Sequence, residues 1–172
     1  KRQGGDVSAV TIQAVSQASV AVIPVAIWDA IKLQRPDLGR ISKDIRTASR
    51  SRMAERMLRL GRGRAAMRMA YALLELNVRL AAIGQARDGK YHMPMNQRVL
   101  GDFVGLSSVH VCRTLGRLVS DGIIRATGQM QIEILDFDAL TEIAGVDLAV
   151  LQREIILQDD DVVPAFACAA FA

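Results

Sequence analysis

The chain has 172 residues, of which 51% are hydrophobic and 4% aromatic, and its formal net charge is +4. This length suits one or two small globular domains, and the sequence has neither an apolar run of about 18 residues nor a signal-peptide pattern, so we expect no membrane partner. Its two cysteines, Cys112 and Cys168, form neither a disulfide framework nor a metal motif, which favours a reducing cytoplasm and predicts no metal site.

Residues 7–24, VSAVTIQAVSQASVAVIP, are rich in Val, Ile, Thr and Ser and partly alternate. They predict two β-strands with a turn near Ser16-Gln17. Two strands are not stable alone, so these would need further strands beside them. Residues 25–35 predict a short helix with Trp28 and Ile31 facing inward, and Pro36 is expected to break it.

Residues 38–60 predict a long helix with a narrow apolar stripe at spacings of three and four. The stripe consists of Leu38, Ile41, Ile45, Ser49, Met53, Met57 and Leu60. Such a seam is typical of a helix that packs on another helix, either in its own domain or in a second copy. Gly61 and Gly63 are expected to end this helix, and residues 64–83 predict the next.

Charge is unevenly distributed along the chain. Residues 43–68 contain nine basic and two acidic side chains, a net of +7, whereas residues 133–161 contain nine acidic and one basic, a net of −8. A basic block is most simply a solvated face, but in a DNA-binding protein it would also attract phosphate.

Residues 97–118, QRVLGDFVGLSSVHVCRTLGRL, predict two short helices joined by a tight turn. Asn96 can cap the first helix, and Gly105 stands where a positive φ is usually needed. Ser107 can cap the second helix, whose inward positions are Val111, Leu115 and Leu118. This pattern is typical of a helix-turn-helix that reads DNA, although a helical hairpin in any core has the same spacing.

The outer face of the second helix contains no acidic residue, as contact with phosphates requires. It carries Ser108, Val109, Cys112 and Arg113, with His110 and Arg117 toward its edges. Asp121-Gly122, IIRAT, Gly128-Gln129 and MQIEIL follow, and they predict a turn and a β-hairpin wing.

With this wing, the chain resembles the C-terminal winged helix of the Crp/Fnr family of bacterial transcription regulators. The similar residues are G-L-S-x-x-H-V-x-R-x-L at 105–115, D-G-x-I at 121–124 and I-x-I-L-D at 132–136, and the resemblance extends from Ser8 to Gly145. It implies a mainly helical α+β fold. Residues 1–37 would be the end of a β-roll sensor domain, 38–60 a dimerisation helix, 61–145 the winged helix-turn-helix and 146–172 a tail.

The resemblance also implies a function. A homodimer would bind a palindromic operator in double-stranded DNA through helix 107–120, with RNA polymerase as a further partner. The dimer contact would fall on Ile41, Ile45, Ser49, Met53, Met57 and Leu60. Arg113 matches the family's guanine-reading arginine, and the other DNA contacts would come from Gln97, Ser107, Ser108, Val109, His110 and Arg117, with Arg125 and Gln129 as weaker wing candidates.

Two recognition-helix residues depart from the family. Many members have Glu at the position of Val109, where it accepts from cytosine; Val cannot do this but can meet a thymine methyl, so we expect a changed base preference. Cys112 stands where Ser, Gly or Asn is common. It is most simply a tolerated small side chain, and the alternative is a redox gate whose oxidised form clashes with the groove.

The effector is not identified by the sequence. The region that would hold a cyclic-nucleotide phosphate reads GGDVSAVT, with Ser8 near the place of the family arginine, and the cysteine cluster of oxygen-sensing members is absent from this chain. We therefore expect neither cyclic AMP nor an iron–sulfur cluster. The competing function is a winged-helix protein-interaction module without specific DNA binding. An enzyme is not expected, because neither His92 nor His110 lies in a catalytic motif.

Overall fold

The computed structural model describes residue 14, residues 17–128 and residues 130–155. These residues form helices and strands in the order α1 (Val25–Gln34), α2 (Pro36–Arg62), α3 (Ala65–Ala81), β1 (Ala86–Arg87), β2 (Lys90–His92), α4 (Gln97–Val104), α5 (Ser108–Ser120), β3 (Ile124–Thr127), β4 (Gln131–Ile134), α6 (Phe137–Ala144) and α7 (Leu148–Ile155). The described part is therefore mainly helical with one small antiparallel sheet, in agreement with the predicted class.

The predicted strand over residues 17–24 is wrong, because these residues form no regular structure. Val20 and Val22 are 80% and 89% exposed, so no neighbouring strand covers them. An extended segment without a partner strand has no ladder of hydrogen bonds to hold it. The rest of the predicted pair, residues 7–13 and the turn at Ser16, lies outside the described residues.

The long helix is longer than predicted at both ends. The predicted break at Pro36 is confirmed, since α1 ends at Gln34 and Arg35 is not helical. Pro36 is also the first residue of α2, where its missing N–H would have no partner anyway. Gly61 lies inside α2, and the helix ends at Gly63, which is extended with φ −78° and ψ 140°. A Cβ at Gly63 would lie 2.6 Å from the carbonyl oxygen of Arg59, so this turn requires glycine.

The core is built around α3, which is apolar almost all round and is therefore buried on nearly every face. Helices α4, α5, α6 and α7 and strands β1 and β2 all pack against it. The largest fully buried side chains are Met69, Leu73, Leu74, Met93, Leu100, Ile124, Ile132 and Leu140. Helix α7 lies in the stretch expected to be a tail, and it buries Leu151 on the side of α2 and α3.

The sheet has the order β1-β2-β4-β3, with antiparallel pairs throughout. The β3–β4 hairpin is the predicted wing. The β1–β2 hairpin was not predicted, although its turn carries Asp88 and Gly89 with φ of 51° and 76°. Asp-Gly is a strong signal for such a two-residue turn, but the strands beside it are too short to show alternation.

Candidate nucleic-acid interface

The predicted turn between the two short helices is confirmed. Asn96 caps α4, since its side chain accepts from the backbone N–H of Val99 at 3.0 Å. Gly105 ends the helix in the left-handed region with φ 64°. The N–H of Leu106 then donates to the carbonyl of Gly101 at 2.9 Å. A Cβ at Gly101 would lie 2.5 Å from the Leu106 carbonyl oxygen, so the chain can close this tightly only over glycine.

Helix α5 begins as predicted at a serine cap. The Ser107 hydroxyl accepts from the backbone N–H of His110 at 3.4 Å, and it lies 2.9 Å from the Nδ1 of the same residue. The His110 ring is therefore held beside the helix N-terminus. This end of α5 has no acidic side chain in its first turn, so its free N–H groups remain suited to an anion.

The two faces of α5 divide as the sequence predicted. Val111, Leu115 and Leu118 are buried, and α5 packs on α3, α4 and β3. The opposite face is exposed, with Val109 at 64%. The exposed candidate contacts are Gln97, Ser107, Ser108, Val109, His110, Arg113 and Arg117, and Cys112 on the same face is a free, exposed thiol. The buried side of α5 thus fixes the helix on the core, and its exposed side has no acidic residue.

The two arginines on the exposed face of α5 are not paired with acidic side chains in the described part of the chain. Within the part of the chain that the structure describes, neither Arg113 nor Arg117 forms an ion pair. On the wing, by contrast, Arg125 pairs with Glu133, which Lys90 also reaches at 3.2 Å. Arg125 is therefore already paired within the sheet, which makes it a weaker candidate for a DNA contact. Gln129 lies outside the described residues.

Part of the basic block holds the fold together and does not form a solvated face. Arg56 of α2 donates to Glu75 of α3 at 2.8 and 3.1 Å, and its guanidinium lies 3.8 Å from the ring centre of Phe103 in α4. Arg59 lies 4.0 Å from the ring centre of Tyr71. These contacts fix the end of α2 against both α3 and the first helix of the candidate interface.

A second set of contacts joins the basic block to the turn itself. Arg68 donates to the carbonyls of Val104 and Gly105 at 3.3 and 3.1 Å, where the end of α4 has free acceptors. A Cβ at Gly105 would lie 2.6 Å from the Cδ2 of Leu60, so the end of α2 touches the turn as well. These roles of Arg56, Arg59 and Arg68 were not predicted from the sequence. The available signal was Glu75, the only acidic residue in α3, which needs a buried partner.

Among the described residues, no helix is long and apolar enough to span a bilayer. No three His, Cys, Asp or Glu side chains come together there as metal ligands would.

Comparison with known proteins identifies relatives of this arrangement. Residues 67–143 match the family described as the Crp-like helix-turn-helix domain. The chain is 30% identical over 141 residues to the transcriptional activator protein FnrA of Stutzerimonas stutzeri, covering 79% of this chain and 55% of that protein. It is 31% identical over 144 residues to the transcriptional activator protein anr of Pseudomonas aeruginosa, covering 81% of this chain and 56% of that protein.

Among solved structures, FixK2 from Bradyrhizobium japonicum is similar, with 34% sequence identity and a TM-score of 0.50. The similarity covers 59% of this chain and 49% of that chain. The chain thus spans about half the length of the curated relatives it matches.

Proposed function

Because the chain belongs to the Crp/Fnr family of transcription regulators, we propose that it binds a palindromic operator as a homodimer through helix 107–120. The observation that carries this proposal is the exposed, acid-free face of α5 on a rigidly capped helix. In a helix-turn-helix the second helix lies in the major groove, with residues near its N-terminus at the base edges. RNA polymerase is the further partner that a transcription regulator of this kind would contact.

Arg113 is the residue proposed to read a base. Its side chain is exposed and free of ion pairs in the described part, so it can make two parallel hydrogen bonds to guanine. Ser107, Ser108 and His110 surround the N-terminus of α5, where the free N–H groups favour a phosphate oxygen. Arg117, at the other end of α5, and Gln97, at the start of α4, are proposed backbone contacts.

The dimer is proposed along the exposed stripe of α2. Ile45, Met53 and Met57 are 48%, 62% and 66% exposed, although each is large and apolar. Ile41 and Ser49 continue the stripe, and Leu60 ends it beside the turn. Scattered exposed apolar residues are normal on a protein surface, but a helical stripe of them favours burial by another helix. Two parallel α2 helices would place two α5 helices at half-sites about 34 Å apart.

The proposal is tested by two arginine substitutions and a control. Arg113→Ala should lower affinity for the selected operator by about 10-fold to 100-fold, as loss of a pair worth about 1–3 kcal/mol requires, and should relax the consensus at one base of each half-site. Arg117→Ala should weaken binding to all sequences alike and reduce the slope of log affinity against log salt. Arg40→Ala, exposed on α2 far along the chain, is the matched control.

The alternative, a winged helix that binds protein, is favoured by one observation. Val109 is 64% exposed in the middle of the recognition face, where a DNA reader more often has a polar side chain. Salt dependence separates the two functions. A DNA-binding protein loses affinity steeply between about 50 and 200 mM salt as counterions are released, whereas a module that does not bind DNA shows no gel shift at either concentration.

A further inference from the structure

A groove runs between α2, the C-terminal end of α3 and the loop that follows β2, and no residue of α5 lines it. We call it the α2–α3 groove, and its apolar walls are Leu76, Leu80, Ile83, Met95 and Phe103. It encloses about 420 Å³. Ile83 is 65% exposed beside it, although the side chain is large and apolar. A groove of this size and lining is suited to an apolar occupant.

Two guanidinium groups stand in the same groove. One nitrogen of the Arg79 guanidinium lies 3.4 Å from the buried carboxylate of Glu75. The other N–H groups of Arg79 can donate to a second acceptor in the groove. Arg52 donates to the Ser49 hydroxyl at 2.8 Å, and it forms no ion pair with the acidic side chains that the structure describes, which do not include that of Glu154. Burial of Arg52 and repulsion from Arg79 lower the pKa of Arg52, and the attraction of the nearby Glu75 carboxylate offsets this only in part. An added carboxylate in the groove would relieve both effects.

The described chain ends at this groove. Ile155, the last described residue, is itself one of the groove-lining side chains. Residues 156–172 follow, with sequence ILQDDDVVPAFACAAFA, which contains three acidic residues, no basic ones and eleven apolar or small residues after the acids. Asp159 is four residues beyond Ile155, so a fully extended chain brings it no further than ~14 Å from there.

We propose that residues 156–172 dock in the α2–α3 groove of the same molecule, with the Asp159–161 triplet at Arg52 and Arg79 and the apolar residues beyond it over Leu80, Ile83 and Met95. The segment has a net charge of −3 and the groove carries two cations, so their charges are complementary. A short covalent connection also gives the segment a high effective concentration at the groove, which no separate partner has. The proposal does not depend on DNA binding.

The chain offers a direct probe of this contact. Cys112→Ser leaves Cys168, in the segment, as the sole thiol, because the sequence contains two cysteines. A nitroxide spin label on Cys168 should broaden the methyl signals of Ile83 and Met95 to less than half their intensity in the reduced, diamagnetic sample. The methyls of Val109, on the exposed face of α5, are the reference and should keep theirs.

Two results would overturn the proposal. One is equal, weak broadening at Ile83, Met95 and Val109, which would mean that the segment does not dwell in the groove. The other is strong broadening in a mixture where the spin label and the isotope label are on different molecules, which would mean that a second copy supplies the occupant.

The charge contact is tested separately. The triple variant D159N/D160N/D161N, and independently Arg52→Gln, should reduce the broadening at Ile83 by about twofold or more. Arg50→Gln removes an exposed charge two residues away on the same helix and should leave the broadening unchanged. Undiminished broadening in both the triple variant and Arg52→Gln would contradict the proposed pairing, and the dispersion of the amide spectrum shows that each variant is folded.

Discussion

The buried carboxylate of Glu75 provides a quantitative test of how the long helix α2 is fixed to α3 and the candidate interface. Its side chain is 0% exposed, and Arg56 of α2 donates to both of its oxygens at 2.8 and 3.1 Å. Arg56→Met keeps much of the aliphatic bulk but removes the charge. Glu75 would then be left with Arg79 alone, at 3.4 Å.

The expected cost follows from this geometry. Removing one partner of a buried pair costs about 3–5 kcal/mol, because the other charge stays buried without compensation. Arg56 is 30% exposed and Arg79 remains, so solvent screening and the second cation place the cost near the lower end, at about 3 kcal/mol. Glu75→Gln removes the buried charge and keeps an acceptor, so it should cost about 1–2 kcal/mol.

Urea denaturation at one protein concentration measures these costs, since coupling to a dimer makes stability depend on concentration. In the double variant, Arg56→Met should add little to Glu75→Gln, so the coupling energy should equal nearly the whole cost of Arg56→Met alone, about 3 kcal/mol. Arg125→Met is the matched control, because its pair with Glu133 is exposed and contributes little. If Arg56→Met cost no more than Arg125→Met, the buried pair would not hold α2 against α3 as described.

Three further predictions concern the turn, the sheet and helix α5. Gly101→Ala should lower the unfolding free energy by about 1–3 kcal/mol, because its Cβ would lie 2.5 Å from a backbone oxygen. Gly116→Ala, whose Cβ would meet nothing within 4 Å, should instead raise the unfolding free energy by about 0.5–1 kcal/mol. Equal effects of the two substitutions would contradict the close approach at Gly101. Tyr91→Phe should cost about 1 kcal/mol, because the buried hydroxyl donates to an α3 carbonyl at 3.0 Å, and an unchanged denaturation midpoint would contradict that bond. Val109→Glu should change the base selected at one position of each half-site, and an identical consensus from a binding selection would exclude contact by Val109.

The two helices α4 and α5 and the turn between them could be predicted from sequence because their determinants are local. The cap at Asn96, the left-handed residue at Gly105 and the cap at Ser107 are each specified by one residue type at one position, and the structure confirms all three. The division of α5 into buried and exposed faces follows directly from a spacing of three and four. Such signals do not depend on the rest of the fold.

Other features could not be predicted because they depend on residues far apart in the chain. The pair Arg56–Glu75 spans 19 residues, and Arg68 reaches Val104 over 36. The charge pattern predicted either a solvated face or a surface that attracts phosphate for these arginines, because it does not show which face of α2 meets α3. Strands β1 and β2 have two and three residues, too few for alternation to be seen. Residues 17–24 have strand-like composition but no partner strand in the described part of the chain.

The central claim is that this chain reads DNA as a two-fold symmetric dimer. A selection of random double-stranded fragments by the purified 172-residue chain, followed by sequencing, tests it most directly. We expect an enriched palindrome with two half-sites one helical turn, about 34 Å, apart, and a guanine in each half-site that the Arg113→Ala variant no longer requires. Enrichment of a single unrepeated half-site would contradict the dimer, and no enrichment over the starting pool would contradict the reading of DNA by α5.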